Sequence, residues 1–578
     1  MQYKKYGNYD LKPMTKIVNT KTTIIKGYNQ IFNEIKDKIK ESSNILICDF
    51  YPGVNKSEVL QELKILNPAL IIQTDELLYN FDTLDDIFRD NLSDDRVFGF
   101  LSNKNIGDCF DPKKVENARE KITSLKDQLV IVVGVGAYSI CNKGLFLFFD
   151  MARWEIQLRY RKGASNWLAN NPNDSQLSKY KRGFFIEWRL ADRYKVKHFE
   201  NMDFIVDTNI SNEPKMIEAK DFLKTLKEVS NRPFRMQPYF DPGVWGGQWM
   251  RNNFNLDPKE TNYAWSFDGI PEENSINLEF ENGYIEIPTI DMVLYCPNEL
   301  LGKRVRARFG REYPIRFDLL DTIEGQNLSL QVHPLTEYIQ EKFGIHYTQD
   351  ESYYILDAEK DSFVYLGLKE GIVPEEMKNA LKRAENGIES FDADKYVNKF
   401  PVKKHDHVLI PAGTVHCSGS NTMVLEISAT PYIFTFKLWD WDRLGLDGLP
   451  RPIHLEHGFQ NIQWDRTTNW TQENLLHREE TIKENEFVKI EKTGLHELEF
   501  IETIRISASD DYCVEMNGSV QSVNLIEGKA ALITSIDNSF EPFEVHYAET
   551  FIIPSNVKQY KLKPLDSSVT IICAQVRN

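Results

Sequence analysis

The chain is poor in cysteine. Seven are spread over 578 residues, at positions 48, 109, 141, 296, 417, 513 and 573, an odd number without a C-x-x-C pair. That scatter argues against a disulfide framework and for free thiols in a reducing compartment. Positive charge is also short: 69 Lys and Arg stand against 86 Asp and Glu, a net charge of -17. Broad binding to nucleic acid or to an anionic membrane is therefore not expected, since both need a basic surface. An anionic small substrate would need a local cationic pocket. No apolar run approaches membrane-spanning length, and the N-terminal MQYKKYGNYDLKPM has no apolar signal core. A cytoplasmic protein is the expectation. Low-complexity segments are missing too, so the chain should be packed throughout, and 41% hydrophobic and 12% aromatic residues fit that. At this length it exceeds one core, and about three or four folding units are expected.

Two patterns of hydrophobicity divide the chain. To about residue 230, helical segments at 28–41, 57–65 and 113–126 alternate with short apolar runs: NILICDF (44–50), ALIIQT (69–74), LVIVVGVGA (129–137) and DFIVDT (203–208). That alternation predicts an α/β domain with a mainly parallel, buried sheet. From about 235 the chain becomes many short strands punctuated by Gly, Pro, Asn and Asp, the pattern of a sandwich or barrel. A helical insertion, PEEMKNALKRAENG (374–387), interrupts it. The boundary is expected in SNRPFRMQPYFDPG (230–243).

The strongest chemical signal is LSLQVHP (328–334), followed by DESYYIL (350–356) and HDHVLIPAGTVH (405–416). Residues two apart in a strand point the same way, so Gln331 and His333 leave one face together. The Pro-Ala-Gly-Thr turn at 411–414 sets His416 at the start of the next strand. With Glu351 these residues offer two imidazoles, a carboxylate and an amide oxygen, a set suited to Zn²⁺ or another divalent metal. DHVLIPAGTVH (406–416) has a weak counterpart in AETFIIPSNVKQ (548–559), where Gln559 stands at the place of His416. Only the first copy carries the ligands.

These motifs, together with VWGG (244–247), AWSFDG (264–269), VLEIS (424–428) and FKLWDWDRLGLDGLPRPIHL (436–455), resemble the type I phosphomannose isomerases, over roughly 235–578. The resemblance implies two cupin (jelly-roll) domains: a metal-binding one at 235–465 with its helical insertion, and a C-terminal one at 466–578 lacking metal ligands. It also implies interconversion of mannose 6-phosphate and fructose 6-phosphate, or of a related sugar phosphate, through a cis-enediol. The metal ligands would be Gln331, His333, Glu351 and His416. Glu426 would be the base, Lys437 would serve catalysis and substrate binding, and Ser329 and Arg443 would lie in the substrate site. Three positions depart from the family pattern: Gln349 and Asp318 stand where lysines are usual, and Lys437 where an arginine is. Loss of cationic charge at Gln349 and Asp318, and of bidentate geometry at Lys437, leaves room for a noncatalytic sugar-phosphate binding protein as the alternative.

NILICDFYPGVNKSEV (44–59) is similar to a Walker A motif, with Lys56 and Ser57 in place as candidate nucleotide-binding residues. Phe50 and Asn55 replace glycines that let backbone wrap phosphate. Residues 1–230 thus resemble a degenerate, uridine-kinase-like P-loop domain, and a bifunctional kinase–isomerase is disfavoured. Arg153, Arg159, Arg161, Lys181, Arg182, Arg189 and Arg193 are candidates for an anion site or for ordinary ion pairs.

Overall fold

The computed structural model describes residues 6–429, 432–446, 448 and 450–577, except the side chains of 40–42. It forms two compact units, one of Met14–Val229 with Pro271–Cys296, the other of Met1–Pro13, Ser230–Ile270 and Pro297–Asn578.

The first unit is built on a seven-stranded sheet. Its five parallel strands run, in spatial order, Leu70–Gln73, Val130–Gly134, Ile45–Phe50, Leu145–Asp150 and Phe204–Asp207. Lys215–Glu218 and Ile25–Lys26 extend it antiparallel. The central strands are buried along almost their whole length, which is why they read as unbroken apolar runs. The expected helices appear at Tyr28–Ser42, Lys56–Leu63 and Pro112–Ser124. The run at 129–137 ends early, at Gly134, because Gly134 and Gly136 take φ of 125° and 78° and turn the chain into the Ala137–Ile140 helix. A Cβ on Gly134 would meet Thr74 Oγ1 at 2.2 Å.

The boundaries differ from a simple division at 230–243. Met14–Lys16 pairs in parallel with Ser275–Phe280, which forms a hairpin with Gly283–Pro288. That pairing draws 271–296 into the first unit. Contacts between segments some 260 residues apart leave no trace in local patterning. Residues 235–270 and 297–465 fall with 466–578 in the second unit.

The second unit contains two pairs of antiparallel sheets. In the first pair, a six-stranded sheet runs His407–Ile410, Asp350–Ala358, Thr422–Ala429, Arg316–Asp321, Trp265–Gly269, Tyr239–Asp241. Its five-stranded partner runs Val397–Pro401, Phe363–Leu368, His416–Ser418, Leu330–Val332, Phe436–Trp439. The insertion is the Pro374–Glu385 helix, which starts on its proline. The second pair, of six and four strands, encloses an apolar core that includes Val523, Leu525, Phe551, Tyr560 and Ile571. Here Thr550–Ile553, a Pro turn and Gln559–Pro564 repeat the order of His407–Ile410, Pro turn and His416–Ser418. Gln559 is exposed, whereas His416 is sealed from solvent.

Candidate metal centre and its surroundings

Strand register gathers the four sequence-predicted ligands. Gln331 lies opposite His416 on one side and Lys437 on the other, so all three side chains leave one face. His333 follows two residues after Gln331 and joins that face. Glu351 comes from the six-stranded sheet, where it lies opposite Ser428, which in turn lies opposite Arg316. One pair further along the same strands, Tyr353, Glu426 and Asp318 form a parallel row.

His416 is delivered by the 411–415 turn. Gly413 has φ of 88°, its N–H donates to the His333 carbonyl at 3.0 Å, and a Cβ there would meet Gln463 Cγ at 2.7 Å. The glycine is therefore required both by its backbone and by its neighbours. Nδ1 of His416 lies 2.9 Å from the Thr414 carbonyl, and Nδ1 of His333 lies 2.9 Å from the Phe434 carbonyl. With Nδ1 donating outward, each Nε2 faces the interior, where it gives its lone pair to an ion or, with no ion there, donates a proton to Glu351.

The inward atoms converge. Glu351 Oε2 is 2.6 Å from His333 Nε2 and 2.9 Å from His416 Nε2, while the Gln331 amide lies 3.2 Å from His416 Nε2. One ligand atom from each of His333, Glu351 and His416 falls within 4.8 Å of the others, the only such His/Cys/Asp/Glu group of three or more among the described residues. Burial alone would push the Glu351 carboxyl up, but the two histidines hold it well below the usual range. Its Oε1 is buried and has no hydrogen-bond partner among the described residues. Two imidazoles and a carboxylate aimed at one point, with a spare carboxylate oxygen, suit a divalent cation.

Glu426 is buried beside this group, and burial, with Asp318 and Glu351 nearby, holds its carboxyl well above the usual range. Lys437 is half-buried on the Gln331 face. Ser329 and Arg443 belong to a second cluster around Asp440: Ser329 Oγ donates to Asp440 Oδ1 at 2.8 Å, and Arg443 Nη2 pairs with the same oxygen. Arg451 completes it, 2.9 Å from Asp440 Oδ2 and 3.3 Å from Ser329 Oγ. Sequence reasoning passed over Arg451 and Asp440 although both lie in the quoted 436–455 motif. It also passed over Arg316 and Tyr353, whose signal is the two-residue spacing that sets them on the faces of Asp318 and Glu351.

In the first unit two of the candidate nucleotide-loop residues are engaged locally. Asn55 caps the Lys56–Leu63 helix by accepting from the Glu58 N–H, Lys56 Nζ lies 2.6 Å from Asp75, and Ser57 is exposed. The basic candidates are engaged internally as well. Arg153 pairs with buried Asp192, Arg159 donates to the carbonyls of Gly53 and Thr208, and Arg182 bonds Asp85 and the Leu168 carbonyl. Lys181 donates to the carbonyls of Ser93 and Asp95, and Arg193 to that of Lys104. Among the described residues no helix is long and apolar enough to cross a membrane.

Residues 27–231 match a family described as a domain of unknown function, DUF8485. Elsewhere the likeness is to enzymes. The chain is 23% identical over 336 residues to mannose-6-phosphate isomerase ManA of Bacillus subtilis, covering 58% of this chain and 97% of that protein. It is 24% identical over 344 residues to mannose-6-phosphate isomerase of Streptococcus mutans, covering 59% of this chain and 98% of that one. The chain is mannose-6-phosphate isomerase-like. A crystal structure of the Bacillus subtilis mannose 6-phosphate isomerase aligns over 60% of this chain and all of its own, at 19% identity and a TM-score of 0.49.

Proposed function

We propose that this protein is a metal-dependent aldose–ketose isomerase that interconverts mannose 6-phosphate and fructose 6-phosphate, or a closely related sugar phosphate, in the first of two cupin domains. The observation that carries the reading is the convergence of His333, Glu351 and His416 within 4.8 Å of one another, in a chain similar along nearly the whole length of two mannose-6-phosphate isomerases.

Gln331, His333, Glu351 and His416 would hold the ion, with zinc the first expectation. When bound, it supplies a Lewis acid that steadies negative charge on the substrate oxygens during enolisation. Glu426 takes the proton from one of C1 and C2 and returns it to the other, and its position on the Glu351 face supports that reading. Lys437, on the face of Gln331, binds the anionic part of the substrate. Arg443 and Ser329, tied to Asp440, shape the neighbouring wall.

We read the Met14–Val229 unit as a kinase-like module without nucleotide turnover, because Asn55 occupies the helix cap and Lys56 is held by Asp75. The 578-residue chain loaded with Zn²⁺ should convert mannose 6-phosphate in a coupled assay and should not consume ATP. Full metal loading with no turnover of any hexose phosphate would favour a binding protein over an enzyme.

A further inference from the structure

We propose that Gln349 is a positioning residue for His333, acting through the main chain of Phe434. The inference rests on the reading of His333 as a metal ligand. Gln349 Oε1 accepts a hydrogen bond from the Phe434 N–H at 2.8 Å, and the carbonyl of Phe434 faces Nδ1 of His333 at 2.9 Å. All three residues are buried. The amide therefore fixes the peptide segment whose carbonyl selects the tautomer of the imidazole, and the tautomer selects which nitrogen presents a lone pair to the ion.

The neighbours of Gln349 reinforce this. Thr348 Oγ1 donates to the carbonyl of Pro334, the residue after His333, and Glu351 Oε2 lies against His333 Nε2 at 2.6 Å. The start of one strand thus holds the imidazole at its backbone, its outer nitrogen and its inner nitrogen. Only an acceptor can do what Gln349 does. A lysine at this place carries three donors and no acceptor and would leave the Phe434 N–H without its partner, whereas a glutamate keeps an oxygen there. With its Oε1 turned to backbone, Gln349 supports the ligand shell.

The test is metal binding by the full chain, measured by chelator competition with Zn²⁺ and by the visible spectrum with Co²⁺, for wild type, Gln349→Met, Gln349→Glu and His333→Ala. Gln349→Met should lose about 10- to 100-fold in Zn²⁺ affinity with an altered Co²⁺ spectrum. Gln349→Glu should stay within about threefold of wild type, as the retained acceptor requires. Thermal melts establish that each variant is folded, and the Gln349→Glu rescue stands even where Gln349→Met is destabilised. Wild-type affinity and spectrum in Gln349→Met, or equal losses in both variants, would overturn the inference while leaving the metal site intact. Failure of wild type to bind Zn²⁺ more tightly than His333→Ala would instead overturn the ligand assignment, and the inference with it.

Discussion

Glu351 Oε2 lies 2.6 Å from His333 Nε2, and neither side chain reaches solvent. A buried pair of this kind is costly to break, because the surviving partner keeps the desolvation penalty without the attraction. His333→Ala should therefore do two things at once. It should abolish stoichiometric metal binding, and in metal-free protein it should lower stability, by up to about 3–5 kcal/mol, because the buried Glu351 carboxylate keeps only His416 as a partner. Urea unfolding of apo protein, with metal analysis on the same samples, checks both. A variant as stable as wild type and fully loaded would contradict the assignment.

Acid sensitivity should come partly from His407. Burial pushes its imidazole down to about 3, and its Nε2 faces Ser352 Oγ at 2.9 Å. In the unfolded chain the ring titrates near 6.5. The native state thus excludes a proton that the unfolded state takes up, so the contribution is intact above about 6.5 and is lost as pH falls toward 3. Between pH 7 and 5 the loss should be about 2 kcal/mol. Denaturant titrations of wild type and His407→Gln across that range measure it; parallel pH slopes for the two would show that His407 is not responsible.

Lys437→Met should raise KM for the sugar phosphate about 10- to 100-fold, the weight of a lost charge-assisted contact, while leaving bound metal unchanged. Steady-state kinetics with metal analysis separates the two. Loss of metal together with KM would place Lys437 in the ligand shell instead.

The convergence of Gln331, His333 and His416 was legible because it follows from local rules. Alternation sets Gln331 and His333 on one face, and a proline–glycine turn delivers His416 to the next strand. The parallel sheet of the first unit was legible for the same reason, its strands being buried on both faces and so apolar throughout. What escaped was long-range. The bond from Gln349 to Phe434 joins residues 85 apart, and the Met14–Lys16 pairing with Ser275–Phe280 joins the chain's beginning to its middle. The seven basic residues singled out in the first unit were open, by type alone, to an anion site or to ordinary ion pairs. The engagement of Arg153, Arg159, Lys181, Arg182 and Arg193 with carboxylates and carbonyls depends on the folded surface that no local pattern encodes.

The proposed function makes one buried cluster the seat of a metal-dependent isomerase. Its most direct test is to measure bound Zn²⁺ per chain and turnover of mannose 6-phosphate to fructose 6-phosphate on the same samples, for wild type, His416→Ala and Glu426→Gln. The expected result is about one metal with turnover in wild type, neither in His416→Ala, and metal without turnover in Glu426→Gln. Turnover in His416→Ala stripped of metal, or a metal-loaded wild type inert toward every hexose phosphate, would contradict it.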